Sequence, residues 1–223
     1  MKKINIAVDG PAGAGKSTIS RFASKELGFI YVDTGALYRA VGLYALRLGI
    51  DTKNSDAVQA TLTGLLVELK FINGEQKVLL NSEDVSEAIR TPEASMAASD
   101  VSAIPAVRDY LFKLQRNIAL SNDCIMDGRD IGTVVLPWAQ IKIFLTASPE
   151  ERAMRRYKEL TEKGLKVDYN DVLKEMIQRD FNDSNREIAP LKPAEDSIII
   201  DTTGLSLEQS VEKIILIIKE RLQ

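Results

Sequence analysis

The chain has 223 residues, 29 Lys+Arg against 32 Asp+Glu for a net charge of −3, 45% hydrophobic and 27% charged residues. It has no histidine and a single cysteine, Cys124. This excludes a Ser-His-Asp triad, a His-liganded zinc, a histidine phosphocarrier, an intramolecular disulfide and a multi-cysteine zinc site. The length can bury a full core without staples, and the mild acidity argues against general nucleic-acid binding.

In chain order, Ile4 to Asp9 reads as a buried strand, a glycine loop follows, and a helix runs from about Lys16 to Leu27. The apolar stretch before Asp9 is too short for a secretory signal. Phe29 to Asp33 reads as a second strand and Thr34 to Leu48 as a second helix. An interruption lies between about Asp51 and Pro105. Within it, Glu68 to Leu80 alternates and turns at Asn73-Gly74, a strong hairpin signal. With flanking helices it would form a small lobe. Later strands are Cys124 to Asp127, Ile141 to Thr146 and Ser197 to Asp201. Short apolar runs alternating with amphipathic ones predict an α/β fold with a largely parallel sheet.

Two late helix starts are marked. Ser148-Pro149-Glu150-Glu151 combines a capping serine, a proline in the first turn and a glutamate at capping-box spacing. Ser206-Leu207-Glu208-Gln209 repeats that spacing. The final helix carries Val211, Ile214, Ile215, Ile218 and Leu222 as a core-facing stripe. The longest apolar run, Ile214 to Ile218, is far below the ~18 residues of a membrane span. A cytoplasmic protein without membrane or nucleic-acid partners is expected, and no coiled-coil pattern compels assembly, so a monomer is expected.

Gly10-Pro11-Ala12-Gly13-Ala14-Gly15-Lys16-Ser17 fits G-x-x-x-x-G-K-[ST] at every fixed position. With glycine usage near ~7%, roughly one random chain in a hundred of this length would contain such a match. Here a strand precedes it and a helix opens at Lys16, as the phosphate-binding loop requires. The glycines let backbone N–H groups converge on phosphates at a helix N-terminus. Lys16 supplies a cation for the outer phosphates, and the Ser17 hydroxyl can ligate Mg²⁺.

A GTPase switch would need Asn-Lys-x-Asp, which is absent; Asp201-Thr-Thr-Gly204 matches D-x-x-G but follows the last strand. A motor ATPase would be larger. A small-molecule kinase needs a second anionic pocket and arginines that neutralise both polyanions. It needs no general base when the acceptor is an ionised phosphate oxygen. Arg152, Arg155 and Arg156 follow the helix start at Ser148, and Arg179 and Arg186 lie near a second helix end. Thr161 to Tyr169, with Gly164, reads as a mobile lid between them. The competing assignment for the first three arginines is a solvated face paired with Glu150, Glu151 and Glu159.

Four further segments are Asp33-Thr-Gly-Ala-Leu-Tyr38-Arg39, Asp127-Gly-Arg-Asp-Ile-Gly-Thr133, Arg152 to Tyr157, and Arg179-Asp-x-x-Asp183-x-x-Arg186-x-x-x-Pro190-Leu191. In this order, behind the phosphate loop and around a long insertion, they resemble the bacterial cytidylate kinases across nearly the whole chain. That resemblance implies a five-stranded parallel sheet with a helical lid and an enlarged nucleoside-monophosphate lobe. The boundaries would be a core of about 1–33, 106–150 and 188–223, a lobe of about 34–105 and a lid of about 151–187. It implies transfer of the γ-phosphoryl of ATP to CMP or dCMP with Mg²⁺. Gly10 to Ser17 and Thr18 would hold ATP, with Ser17 on the metal. Lys16, Arg152, Arg155, Arg156 and Arg179 would serve the transfer. Thr34, Tyr38, Arg39, Ser99, Arg108, Arg129, Asp130, Asp183 and Arg186 would line the acceptor site. Alternatives are another acceptor, such as UMP or AMP, or a non-catalytic module gated by ATP.

The chemistry of these residue types is consistent with that expectation. Cytosine presents an exocyclic amine beside a ring acceptor, so a carboxylate (Asp130) and an arginine (Arg108) would read it. Arg39 and Arg129 would grip the acceptor phosphate in bidentate fashion, and Asp183 would accept from ribose hydroxyls. Each has a rival role. Tyr38 could be a core-edge aromatic, Asp127 and Asp130 could cap a helix starting near Ile131, and Arg108 could pair with Asp109 or Glu93. Asp127 could instead order Mg²⁺-bound water, and Cys124 is expected to pack as a small hydrophobe.

Overall fold

The computed structural model describes residues 3–72 and 75–222. Five strands, β1 (Asn5–Asp9), β2 (Ile30–Asp33), β6 (Cys124–Gly128), β7 (Ile141–Thr146) and β8 (Ile198–Asp201), form one sheet in the order β2-β6-β1-β7-β8. Every pairing in it is parallel. β1 lies at the centre, and all five of its residues are buried. That explains its near-continuous apolar run: helices cover both faces, so no alternation is imposed.

The covering helices are α1 (Lys16–Leu27), α2 (Thr34–Arg47), α5 (Pro105–Ser121) and α8 (Leu207–Leu222), while α6 (Pro149–Glu162) and α7 (Tyr169–Asn185) pack on each other around Ala153, Leu160 and Val172. On one side Ile6, Val8, Ile19, Ile125, Ile143, Ile200, Ile214 and Ile218 pack together. Ile214 and Ile218 come from the stripe read in α8. On the other side Ala7, Val32, Met126, Ile131, Val135 and Leu136 close over the sheet, with Cys124 among them as a buried thiol. Each fully buried aliphatic side chain of this kind stabilises the fold by about 1.5–3 kcal/mol.

The interruption folds as α3 (Ser55–Thr61), an antiparallel sheet of β3 (Val67–Ile72), β4 (Glu75–Leu80) and β5 (Glu83–Asp84), and α4 (Pro92–Val101). The β3–β4 ladder ends at Ile72 opposite Glu75. The predicted turn at Asn73-Gly74 lies outside the described residues. A separate apolar cluster joins Leu37 and Val41 of α2, Val67, Val78, Val101, and Val107 and Leu111 of α5. The first half of α5 therefore packs with the insertion rather than with the sheet.

Local signals placed the helix starts. Ser206 and Gln209 form a full capping box: Ser206 Oγ accepts from Gln209 N at 3.2 Å and Gln209 Oε1 accepts from Ser206 N at 2.9 Å. At Ser148 only half of the box forms. Ser148 Oγ accepts from Glu151 N at 3.3 Å, but Glu151 Oε1 accepts from Gly204 N at 2.7 Å and Oε2 accepts from Arg155. A tertiary partner outcompetes the local one. The helix expected near Ile131 is a five-residue π-helix, Ile131–Val135, and neither Asp127 nor Asp130 caps it.

Candidate active site

The central strand ends at Asp9, and the chain turns into α1 through Gly10 to Gly15. Gly10 has φ of 147°, and a Cβ there would lie 1.9 Å from the Leu145 carbonyl oxygen of β7, so only glycine fits. The loop wraps the C-terminal end of the sheet, where the strand order reverses direction and ligands of α/β folds bind. Lys16 opens α1 and is buried, its Nζ donating to Pro11 O at 2.7 Å across the loop. Burial and then the nearby Arg129 push its ammonium down; Asp127, Asp183 and Asp9 oppose them. A cation held this way has been stripped of water by burial and is suited to a polyanion.

Ser17 donates to Asp127 Oδ2 at 3.1 Å, while Tyr31 donates to Asp127 Oδ1 at 3.2 Å. Burial and the neighbouring Asp33 push the Asp127 carboxyl up. Asp127 thus belongs to the phosphate-loop side. Thr34 donates its hydroxyl to Asp127 O at 2.7 Å, fixing the end of β6. Of the remaining loop residues, Ala14 is buried in the apolar cluster under the sheet and Thr18 is exposed on the first turn of α1.

Facing this loop is a cluster of guanidinium groups. Arg39, on α2, pairs with Asp33 at 2.6 Å, and its Nε is buried without a partner. Arg129 pairs with Asp183 at 2.7 Å. Arg179, on α7, also has a buried Nε without a partner. Burial and then Arg129 lower Arg179 to about 10, with Arg39 and Arg156 adding to the repulsion. Unpaired buried donors among like charges are costly unless an anion completes them. Burial alone would raise Asp183, but Arg129, Arg179 and Arg186 hold it below the ordinary carboxylate value.

Beyond the arginines, Asp130 is bracketed by two more. Arg108 Nη2 donates to its Oδ2, and Arg186 Nη2 donates to its Oδ1 at 3.2 Å. Arg108 and Asp130 are both buried, and Tyr38 lies against the Arg108 guanidinium at 5.9 Å. The pairing of Arg108 with Asp109 or Glu93 does not occur; its carboxylate comes from the turn after β6 instead. Arg186 and Asp183 line a cavity of about 420 Å³ with Ser99, Ser102, Asp100 and Lys53. Ser99 therefore lines the same cavity as Asp183 and Arg186.

The helix α6 arginines behave differently from one another. Arg152 is buried and engaged on three sides: Nε donates to Ala147 O at 2.8 Å, Nη1 to Ala12 O at 3.0 Å and Nη2 to Asp180 Oδ2 at 2.5 Å. It staples the phosphate loop to α7. Arg155 and Arg156 make the local pairs weighed above, with Glu151 at 3.1 Å and Glu159 at 2.8 Å. Arg155 still lies beside Gly15, within 3.8 Å of where a Cβ would stand.

Sequence reasoning missed Asp9. Its buried carboxylate accepts from Ile131 N at 2.8 Å and Gly132 N at 2.7 Å, and burial raises it to about 6. The only signal in the sequence was an acidic residue ending an otherwise apolar strand. It also missed Asp180, whose Oδ1 is buried without a partner.

The pattern of the family described as Cytidylate kinase matches residues 6–220. The chain is 54% identical over 215 residues to the cytidylate kinase of Caldicellulosiruptor saccharolyticus, covering 96% of this chain and 95% of that one. It is 50% identical over 217 residues to the cytidylate kinase of Carboxydothermus hydrogenoformans, covering 96% and 97%. An uncharacterized protein from Eubacterium ventriosum shares the fold at TM-score 0.54, with 12% identity over 97% of this chain and 99% of that one. With the family pattern matched over residues 6–220 and half of its residues identical to these relatives, the chain is a kinase and belongs to the cytidylate kinase family.

Proposed function

We propose that the protein transfers the γ-phosphoryl group of ATP to CMP or dCMP, giving ADP and the nucleoside diphosphate. The observation that carries this reading is the buried Asp130 carboxylate bracketed by Arg108 and Arg186. Two anion sites side by side, one with a base-reading carboxylate, suit donor and acceptor nucleotides.

The attacking atom is an acceptor phosphate oxygen, ionised at pH 7, so the chain supplies positioning and positive charge rather than a base. Lys16 holds the donor phosphates as charge shifts toward the leaving ADP. Arg39, Arg129 and Arg179 surround the acceptor phosphate and the moving group, and the unpaired Nε–H donors of Arg39 and Arg179 become satisfied as the anions enter. Arg155 and Arg156 release their glutamates and join on closure of the segment of about 151–187 over the core, acting against the lobe of about 34–105. Arg152 keeps the loop in register. Closure excludes water and so limits ATP hydrolysis.

The Ser17 hydroxyl and the Asp127 carboxylate, adjacent at 3.1 Å, offer the hard oxygen donors that magnesium takes. Bound there, magnesium would neutralise donor phosphate charge.

At the base, Asp130 accepts from the cytosine amine and Arg108 donates to the ring nitrogen and carbonyl. Uracil places an acceptor where that amine stands, facing a buried carboxylate with nothing to donate. Asp183 accepts from the ribose. The test is phosphate transfer from ATP to CMP, dCMP, UMP and AMP by wild type and Arg108→Met. CMP and dCMP should be preferred, and the variant should lose about 100-fold in kcat/KM for CMP while the KM for ATP changes little. Preference for AMP, or an equal loss for every acceptor, would overturn the assignment.

A further inference from the structure

Asp9 is the last residue of β1 and the residue before Gly10. Its backbone sits in register with Gly128 of β6 on one side and Phe144 of β7 on the other, so the sheet aims its side chain. Both carboxylate oxygens are engaged: Oδ1 accepts from Ile131 N at 2.8 Å and Oδ2 from Gly132 N at 2.7 Å. These amides open the π-helix, and the first N–H groups of any helical turn have no partner within it. Gly132 permits the approach, since a Cβ there would meet Lys142 at 3.2 Å and Asp9 Oδ2 at 3.3 Å.

The other end of the same turn is also held. Arg116, on α5, donates from Nε to Val135 O at 2.9 Å and from Nη2 to Val134 O at 3.2 Å. Its guanidinium lies over Phe112 at 4.0 Å and Trp138 at 4.7 Å. Single π turns are rare and are retained mostly near functional sites. This one is clamped at both ends by charged groups from two other elements, and the residue directly before it is Asp130.

We propose that Asp9 is a positioning residue for acceptor selection: by holding the first two amides of the π-helix it sets the place of the Asp130 carboxylate. The strand end that launches the phosphate loop is thereby tied to the site that distinguishes acceptor bases, and Arg116 holds the far end. The proposal rests on the base-reading role given to Asp130 above. Asp9→Asn keeps the shape but turns an amide NH₂ toward one of the two N–H groups, so the turn and Asp130 shift together.

The experiment measures kcat and KM for CMP, UMP and ATP in wild type, Asp9→Asn, Asp130→Asn and the double variant. Asp9→Asn should lower the CMP-to-UMP ratio of kcat/KM about tenfold, mainly through KM for CMP, because small displacements of positioned groups have effects of that order or larger. The KM for ATP should change less than the KM for CMP. In the Asp130→Asn background the substitution at Asp9 should leave the ratio unmoved. An Asp9→Asn loss that is equal for both acceptors, or a second fall of the ratio in the double variant, overturns the proposal while Asp130 keeps its role. A ratio unchanged in Asp130→Asn overturns the base-reading role itself. If Asp9→Asn does not fold, Arg116→Met stands in for it. The ratio should then fall about threefold, in the same direction, and an unchanged ratio in that folded variant overturns the proposal.

Discussion

In the proposed function, the donor and acceptor halves of the site are built by different means. The donor half is contiguous chain, Gly10 to Thr18, whose shape is backbone: a glycine forced by a β7 carbonyl, a helix N-terminus and one lysine. The acceptor half is side chain, gathered from Asp33 to Arg186 and joined by the Asp33–Arg39, Arg129–Asp183, Arg108–Asp130 and Arg186–Asp130 pairs. Phosphates are alike in every nucleotide, so backbone amides suffice to bind them. A base is told from another base by a few donor and acceptor positions, so its site needs polar side chains held by buried partners.

The most damaging single change is expected in the backbone-built half. Gly10→Ala would put a methyl group 1.9 Å from the Leu145 carbonyl oxygen, forcing β1 and β7 apart. It should cost about 3 kcal/mol or more and lower the melting temperature by about 10 °C; thermal unfolding followed by circular dichroism measures it. A loss below about 1 kcal/mol would show that the strand end adjusts freely, and the contrast between the halves would weaken.

Lys16→Met comes next and separates chemistry from folding. It removes a buried, desolvated cation, so the protein should remain folded while kcat falls about 10³-fold for every acceptor alike. Single-turnover assays with CMP and UMP test this. A selective loss for one acceptor would mean that the two halves are not separable in this way.

The smallest effect expected is in the pH dependence of stability, where the halves should respond with opposite sign. Asp9 is raised by burial from 3.8 to about 6, so its contribution is greatest below pH 3.8 and declines as pH rises toward 6. Asp183 is held low by its arginines, so its stabilising contribution is present above the ordinary carboxylate pKa and fades as pH falls through its lowered value. Melting temperatures of the nucleotide-free protein from pH 3 to 7 should therefore show Asp9→Asn flattening the slope between about 4 and 6. Asp183→Asn should flatten the decline at the acid end. An unaltered slope in Asp9→Asn would remove Asp9 from the titrating groups.

Much of this was legible beforehand, and for identifiable reasons. The five strands, α1, α2, the capped starts of α6 and α8, and the phosphate loop follow from local rules: apolar runs, capping residues and glycine spacing act over a few residues. The acceptor residues were named through resemblance, but their partners were not. Asp109 and Glu93 are the carboxylates near Arg108 in sequence or on the lobe, yet its partner, Asp130, arrives from the turn after β6. Glu151 was read as half of a capping box and is drawn away by Gly204.

By itself, then, the amino-acid order determined where elements start and stop and which end of the sheet carries the phosphate cradle. Only the tertiary structure decided which carboxylate meets which arginine, that the turn after Asp130 is a π-helix, and that Asp9 holds it. The reason is physical. Backbone hydrogen bonds and caps are satisfied within a few residues of sequence, whereas a buried charge takes whichever opposite charge the folded sheet brings within about 3 Å.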